Sequence, residues 1–299
     1  MIPQGADVVF MVEYSEQLAD GSVRFTGSDT MDNIARRGED LRQGQVVLRS
    51  GTLLKPRHIA ALASVGAVQP VVYRRPLIGV FATGDELVLA SDIPGPGQIR
   101  NSNSPQLLAQ ALELGCPASF LGTVSDDFDA TVAAVSAALE QHDAVLLSGG
   151  VSMGDFDHVP EALKACGVRI LFDRVAVKPG KPATFGILGN KAVFGLPGNP
   201  VSTFVIFELL TRPYLMARMG LPGWKPVIVP AVLSEPIRTR NADREQWLPV
   251  RIEENGRARP LKFHGSGHFA SLVDMSGLVS LPVGVLGREA GETIEVRLV

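Results

Sequence analysis

Lys178 and Lys181 stand in the run Lys178-Pro179-Gly180-Lys181-Pro182, where two prolines and a glycine restrict the backbone. Two ammonium groups held near each other repel unless an anion sits between them, so the run points to an oxyanion site rather than to two solvated lysines on a rigid loop. A second anion-friendly stretch is Ser148-Gly149-Gly150-Val151-Ser152-Met153-Gly154, followed by Asp155 and Asp157 and then by a helical pattern. Adjacent glycines let the backbone approach a ligand, and the free N–H groups of a helix N-terminus suit phosphate. Without a ligand the same residues make a tight turn with Asp157 as its cap. The turn Gly195-Leu196-Pro197-Gly198-Asn199-Pro200-Val201-Ser202 opens another helical pattern and puts the Ser202 hydroxyl in its first turn.

Acidic residues follow the strand-like runs. Glu86 lies in Thr83-Gly84-Asp85-Glu86-Leu87, and Asp126 and Asp127 end the next run. Taken singly each is a solvated loop carboxylate. Gathered at one edge with Asp157, they offer oxygen ligands for a magnesium ion that partners substrate phosphates. Arg244 and the Gly265-Ser266-Gly267 run are polar islands among β-type segments, and His264 and His268 lack a third ligand at metal spacing. No nucleophile elbow, Walker loop or kinase signature is present, so the chemistry expected is electrostatic and template-like.

These residues must be positioned by the elements between them. Residues 77–82 and 144–147 are fully apolar runs fit for strands buried on both faces. Helical spacing at 105–114, 129–139, 159–166 and 201–219 alternates with further strand patterns at 119–124 and 169–177. That βαβαβ order predicts a doubly wound, mostly parallel α/β sheet, with ligands at the carboxyl ends of its strands. Before it, short β runs at 8–12, 23–25 and 45–48 and a helix from Pro56 predict a β-rich region with a linker helix over 1–75. After the α/β domain (76–220), prolines space the strand patterns 227–233, 246–253, 278–281 and 293–298, a closing β-barrel or sandwich over 221–299.

A chain of 299 residues with 45% hydrophobic and 20% charged residues has the composition of a folded, multi-domain protein. A net charge of −3 gives no footprint for nucleic acid or an acidic membrane. Cys116 and Cys166 read as buried thiols in a reducing cytosol. No signal peptide or bilayer-length apolar run is legible, so a cytoplasmic protein with neither membrane nor nucleic-acid partners is expected.

In order and spacing, Thr83 to Leu87, the Ser148 to Asp157 loop, Lys178 to Pro182 and Leu196 to Ser202 resemble the signature set of the molybdopterin molybdenumtransferases, relatives of the gephyrin E domain. Asn33-Ile34, Arg37-Gly38-Glu39-Asp40 and Gly265-Ser266-Gly267 extend the resemblance along nearly the whole chain. It implies insertion of molybdate into adenylylated molybdopterin, giving molybdenum cofactor and AMP with magnesium as cofactor. By the same resemblance Lys178, Lys181, Ser202, Arg244 and Ser266 bind molybdate; Pro182 and Asn199, and Gly149, Gly150, Ser152 and Asp155 of the glycine stretch, are the further residues expected to bind substrate. Asp126, Asp157 and Lys178 take catalytic roles, and Glu86 and Asp126 hold the metal. A homodimer and transfer partners among molybdenum-cofactor enzymes are implied as well. In relatives a segment with an Asp-Gly-aromatic-Ala motif precedes the start of this sequence, so region 1–75 is expected to be incomplete; Arg174 and Ala35 stand where many relatives have Lys and Arg. The alternatives left open are a pterin-binding adenylyltransferase and a non-catalytic scaffold or truncated inactive form.

Overall fold

The chain divides into two units, Met1–Pro70 and Val71–Val299, and the computed structural model describes residues 2–151, 158–221, 223–262 and 265–299. The first unit holds a 3-10 turn at Val12–Tyr14, an antiparallel hairpin of β1 (Ser15–Gln17) and β2 (Val23–Phe25), and an α-helix, α1 (Pro56–Ser64). Phe10 stacks on Phe25 with ring centroids 4.4 Å apart. The runs 8–12 and 45–48 carry no strand: side chains such as Val12 and Val46 lie exposed, and no partner strand pairs with them.

In the second unit, strands buried along all or nearly all of their length build the central layer. Its elements are β3 (Ile78–Thr83), a short parallel pair of β4 (Leu87–Val88) and β5 (Ile99–Arg100), α2 (Asn103–Glu113), β6 (Ala118–Val124), α3 (Phe128–Gln141), β7 (Ala144–Ser148) and α4 (Val159–Ala165). They continue as β8 (Arg169–Arg174), β9 (Val177–Lys178), β10 (Pro182–Leu188), β11 (Lys191–Leu196), α5 (Pro200–Ile206), a π turn at Phe207–Thr211 and α6 (Arg212–Arg218). The sheet order is β6-β3-β7-β11-β10-β8, with β6, β3, β7 and β11 parallel and β10 antiparallel to both its neighbours. Ile78, Val80, Ala144, Leu146, Phe194 and Leu196 face α2, α5 and α6, while Phe81, Val145, Leu147 and Val193 face α3 and α4. Strands buried on both faces are what uninterrupted apolar runs require.

The single strand expected at 169–177 is two, because Val177 and Lys178 leave this sheet and pair with Glu245 and Gln246 of the following layer. That layer contains β12 (Ile228–Leu233), β13 (Ile237–Arg238), β14 (Glu245–Ile252), β15 (Arg257–Pro260), α7 (Ala270–Val273), β16 (Gly277–Leu281), β17 (Gly287–Arg288) and β18 (Thr293–Leu298). β15, β12, β18, β16 and β14 form a five-stranded barrel that closes through the β14–β15 pairing. Closure leaves no free edge among these strands. Leu233, Val250, Ala258, Leu281 and Val296 fill its interior.

The barrel is fastened to the α/β layer. Val201 and Val205 of α5 pack with Leu272 and Leu278. Arg297 of β18 lies over the Trp247 ring and donates to the Glu208 carbonyl in the π turn. The Glu208 carboxylate, itself buried, accepts from Gln110 of α2 at 2.7 Å and from Arg212 at 2.5 Å. No described helix is long and apolar enough to cross a membrane.

Candidate active site

Register brings the carboxyl ends of the parallel strands to one edge: Thr83 pairs with Val124, Ala82 with Ser148, and Leu196 with Ser148. From β3 the chain winds to β6 on one side and then to β7 on the other, so the direction of winding reverses there, the place where α/β sheets open a ligand crevice. A cavity of about 1020 Å³ opens at this edge, lined from the ends of β3, β7 and β11 and from the loop before β10.

Gly149 and Gly150 form its glycine turn. Gly149 has φ +103°, and a Cβ there would sit 2.6 Å from both the carbonyl oxygen and the Oγ1 of Thr83, so a side chain is excluded where the two strand ends meet. The Gly149 N–H donates to Leu196 O at 3.0 Å, tying this turn to the end of β11. Ser152, Asp155 and Asp157 lie outside the described residues, as does His264.

The lysine run is closed by the Val175 N–H donating to Lys181 O at 2.9 Å and packs on α5 through Gly180, whose positive φ (+108°) and contact with Ile206 admit no Cβ. The two-residue β9 sets Lys178 against the barrel: Glu245 N–H donates to Ala176 O at 3.0 Å and Arg244 Nη1 donates to Val177 O at 3.3 Å. A second bridge comes from the Gly265-Ser266-Gly267 loop. Asn199 Nδ2 donates to Ser266 Oγ at 3.0 Å, and the Val201 N–H donates to Ser266 O at 3.1 Å. Lys178, Lys181, Pro182, Asn199, Ser202, Arg244 and Ser266 therefore all line the one cavity. Among the described residues, Lys178, Lys181 and Arg244 have no carboxylate partner. Arg100 lines the cavity as well, without a carboxylate partner among the described residues, and cations gathered around a concavity favour an anion.

Glu86 and Asp126 line the same cavity. Asp85 and Asp126 each accept from the other's backbone N–H at 3.4 Å, which joins the loops after β3 and β6. Asp127 turns away to cap α3, accepting from Ala130 N–H at 2.8 Å. Among the described residues no group of three or more His, Cys, Asp or Glu side chains is placed to hold a metal ion, so Glu86 and Asp126 stand as two carboxylates.

Sequence reasoning missed the segment 99–103, although Arg100, Asn101, Ser102 and Asn103 line the cavity. The helix expected from Pro105 begins at Asn103, and Asn101 Oδ1 accepts from the Ser104 N–H at 3.0 Å across its start. The legible signal was the run Asn101-Ser102-Asn103-Ser104 ahead of a proline, a composition that favours a capped helix start.

Known proteins are similar to this chain in sequence and fold. Residues 79–217 match a family described as a probable molybdopterin binding domain, residues 1–66 the MoeA N-terminal region (domain I and II), and residues 230–299 the MoeA C-terminal region (domain IV). A molybdopterin molybdenumtransferase of Bacillus subtilis is 35% identical over 304 residues, covering 100% of this chain and 71% of the relative. A protein of the same name from Staphylococcus aureus is 36% identical over 299 residues, covering 99% of this chain and 71% of its own length. The crystal structure of a molybdopterin biosynthesis MoeA protein from Pyrococcus horikosii superposes with a TM-score of 0.82 at 31% identity, covering 100% of this chain and 73% of that one.

Proposed function

The chain belongs to the molybdopterin molybdenumtransferase family, and from that premise we propose that it inserts molybdenum, taken from molybdate, into adenylylated molybdopterin in the cavity at the sheet edge, with release of AMP. The carrying observation is that one concavity gathers Lys178, Lys181 and Arg244, without carboxylate partners among the described residues, with the Gly149-Gly150 turn and the carboxylates of Glu86 and Asp126.

Lys178, Lys181 and Arg244 concentrate the molybdate dianion, and the Ser202 and Ser266 hydroxyls donate to its oxygens, with Asn199 and Pro182 shaping the same wall. The glycine turn cradles the pterin phosphates, extended by Ser152 and Asp155; Asp126 and Asp157 serve the cleavage step with Lys178. Glu86 and Asp126 offer the hard oxygen ligands that suit magnesium, which takes one or two carboxylates together with substrate phosphates. Bound there, that ion supplies Lewis-acid polarisation of the pyrophosphate. The protein's own contribution is to hold oxyanion and dithiolene in a reactive arrangement, which lowers the barrier chiefly by positioning. A homodimer, a cytoplasmic location and delivery of the product to molybdenum-cofactor enzymes belong to the same proposal.

The test is AMP release and cofactor formation from adenylylated molybdopterin with molybdate and magnesium. Molybdate-dependent turnover is expected, with molybdate affinity in calorimetry sharply reduced by Lys178→Ala. Unchanged affinity in that variant would remove the oxyanion assignment, and AMP release indifferent to molybdate would move the reading to pterin binding alone.

A further inference from the structure

Asn103 joins the two turns between which the substrates are proposed to meet. It is the first residue of α2, 8% exposed, and its Nδ2 donates to Ser148 Oγ at 2.7 Å and to the Gly198 carbonyl at 2.7 Å. A backbone carbonyl only accepts, so the amide orientation is fixed with Nδ2 toward Gly198. Among the described residues Asn103 Oδ1 has no partner, and two donated bonds hold the amide. Ser148 opens the glycine turn, and Gly198 precedes Asn199 and the start of α5. The ladder between β7 and β11 ends at Ser148 and Leu196, and the Gly149 N–H to Leu196 O bond lies just beyond it. Past that bond, Asn103 bridges from a third element.

We infer that Asn103 is a positioning residue for the transfer reaction, fixing the separation between the glycine turn and the Gly198-Asn199 turn; the inference rests on the transferase reading above. It carries no charge to either ligand, so each substrate alone still binds when Asn103 is changed to another uncharged residue. What is lost is their mutual placement. A displacement of about 1 Å between reacting groups costs on the order of 100-fold in rate.

The experiment uses the full chain with Asn103→Ala and Asn103→Leu. Leucine keeps roughly the volume and adds no charge, but it cannot donate to Gly198 O, so both variants lose the bridge while the second leaves no void. Expected are native circular dichroism, a kcat for molybdate-dependent AMP release lowered roughly 10- to 100-fold, and a molybdate KM within about threefold of the unsubstituted chain. Hydrogen exchange at the amides of Gly149 and Val201, bonded to Leu196 O and Ser266 O, is expected to quicken about tenfold or more, with barrel amides unchanged. Unchanged exchange at both amides overturns the inference whatever the activity. So does a raised KM with unaltered kcat, which would make Asn103 a ground-state binding group, and so does loss of the whole fold in both variants, which would make it a core residue. Absence of turnover in the unsubstituted chain would count against the transferase reading instead, and exchange would still decide the role of Asn103.

Discussion

Arg244 Nη1 donates to the carbonyl of Val177, the residue directly before Lys178, at 3.3 Å. The barrel and the α/β layer thus place two cations beside one another by way of a parallel pair only two residues long. Neither Arg244 nor Lys178 has a carboxylate partner among the described residues, so each adds to the attraction for an anion in the cavity.

Arg244→Ala is therefore expected to weaken molybdate binding about 10- to 100-fold, and Arg244→Lys to restore only part of the loss. Lysine keeps the charge but lacks the planar fork that bonds the Val177 carbonyl while presenting further donors to the cavity. Calorimetric titration with molybdate at two ionic strengths measures this. Full affinity in Arg244→Lys would mean that charge alone matters, and unaltered affinity in Arg244→Ala would remove Arg244 from the site.

What the sequence could announce and what it could not divide along physical lines. The lysine run, the glycine turn and the Gly198 to Ser202 turn were legible because proline and glycine limit the backbone locally, and because the carboxyl-end rule placed them on one edge once a parallel sheet was expected. β9 was read as the tail of β8, since two residues carry no periodicity of their own. β15 went unseen for a similar reason: of Arg257-Ala258-Arg259-Pro260 only Ala258 is a buried apolar residue. Asn103 was illegible because its partners lie 45 and 95 residues away in sequence. A polar residue before a helix announces a cap, and nothing local distinguishes a cap from a bridge.

Acid should act on the opposite edge of the sheet. Burial raises the Asp143 pKa, but the Arg74 hydrogen bond and charge, the Leu77 N–H and the Arg218 charge outweigh it and hold the carboxyl below the usual range. Arg74 bonds both carboxylate oxygens, and the Leu77 N–H donates at 2.8 Å, so the pair straps the segment before β3 to the turn before β7. A native pKa below the unfolded value of about 3.9 means that this stabilisation is fully present above that value and is lost as pH falls through the depressed native pKa. Asp143→Asn is expected to lower stability at neutral pH and to flatten its decline in acid. Urea titrations from pH 7 to pH 3 give the comparison, and parallel acid limbs in the two proteins would contradict it.

Glu208 is a costly charge to disturb. Its carboxylate is 2% exposed and accepts from Arg212 Nε at 2.5 Å and Gln110 at 2.7 Å, while Arg297 donates to its backbone carbonyl. Removing a buried carboxylate leaves the guanidinium that paired with it uncompensated, at a cost of about 3–5 kcal/mol. Among the described residues Arg212 then keeps only the carboxylate of Glu113, whose side chain is 64% exposed, so little of that cost is recovered there. Glu289, paired with Arg238 at 2.7 Å, has comparable geometry at the surface, with both side chains more than half exposed. Exposed pairs contribute about 0–1 kcal/mol. Glu208→Ala should therefore destabilise the chain several times more than Glu289→Ala in equilibrium denaturation. Because Glu208 also lies where Arg297 reaches the π turn, part of the loss should appear as faster hydrogen exchange in β18. Equal costs for the two variants would mean that water already reaches Arg212 and that the pair is not a buried one.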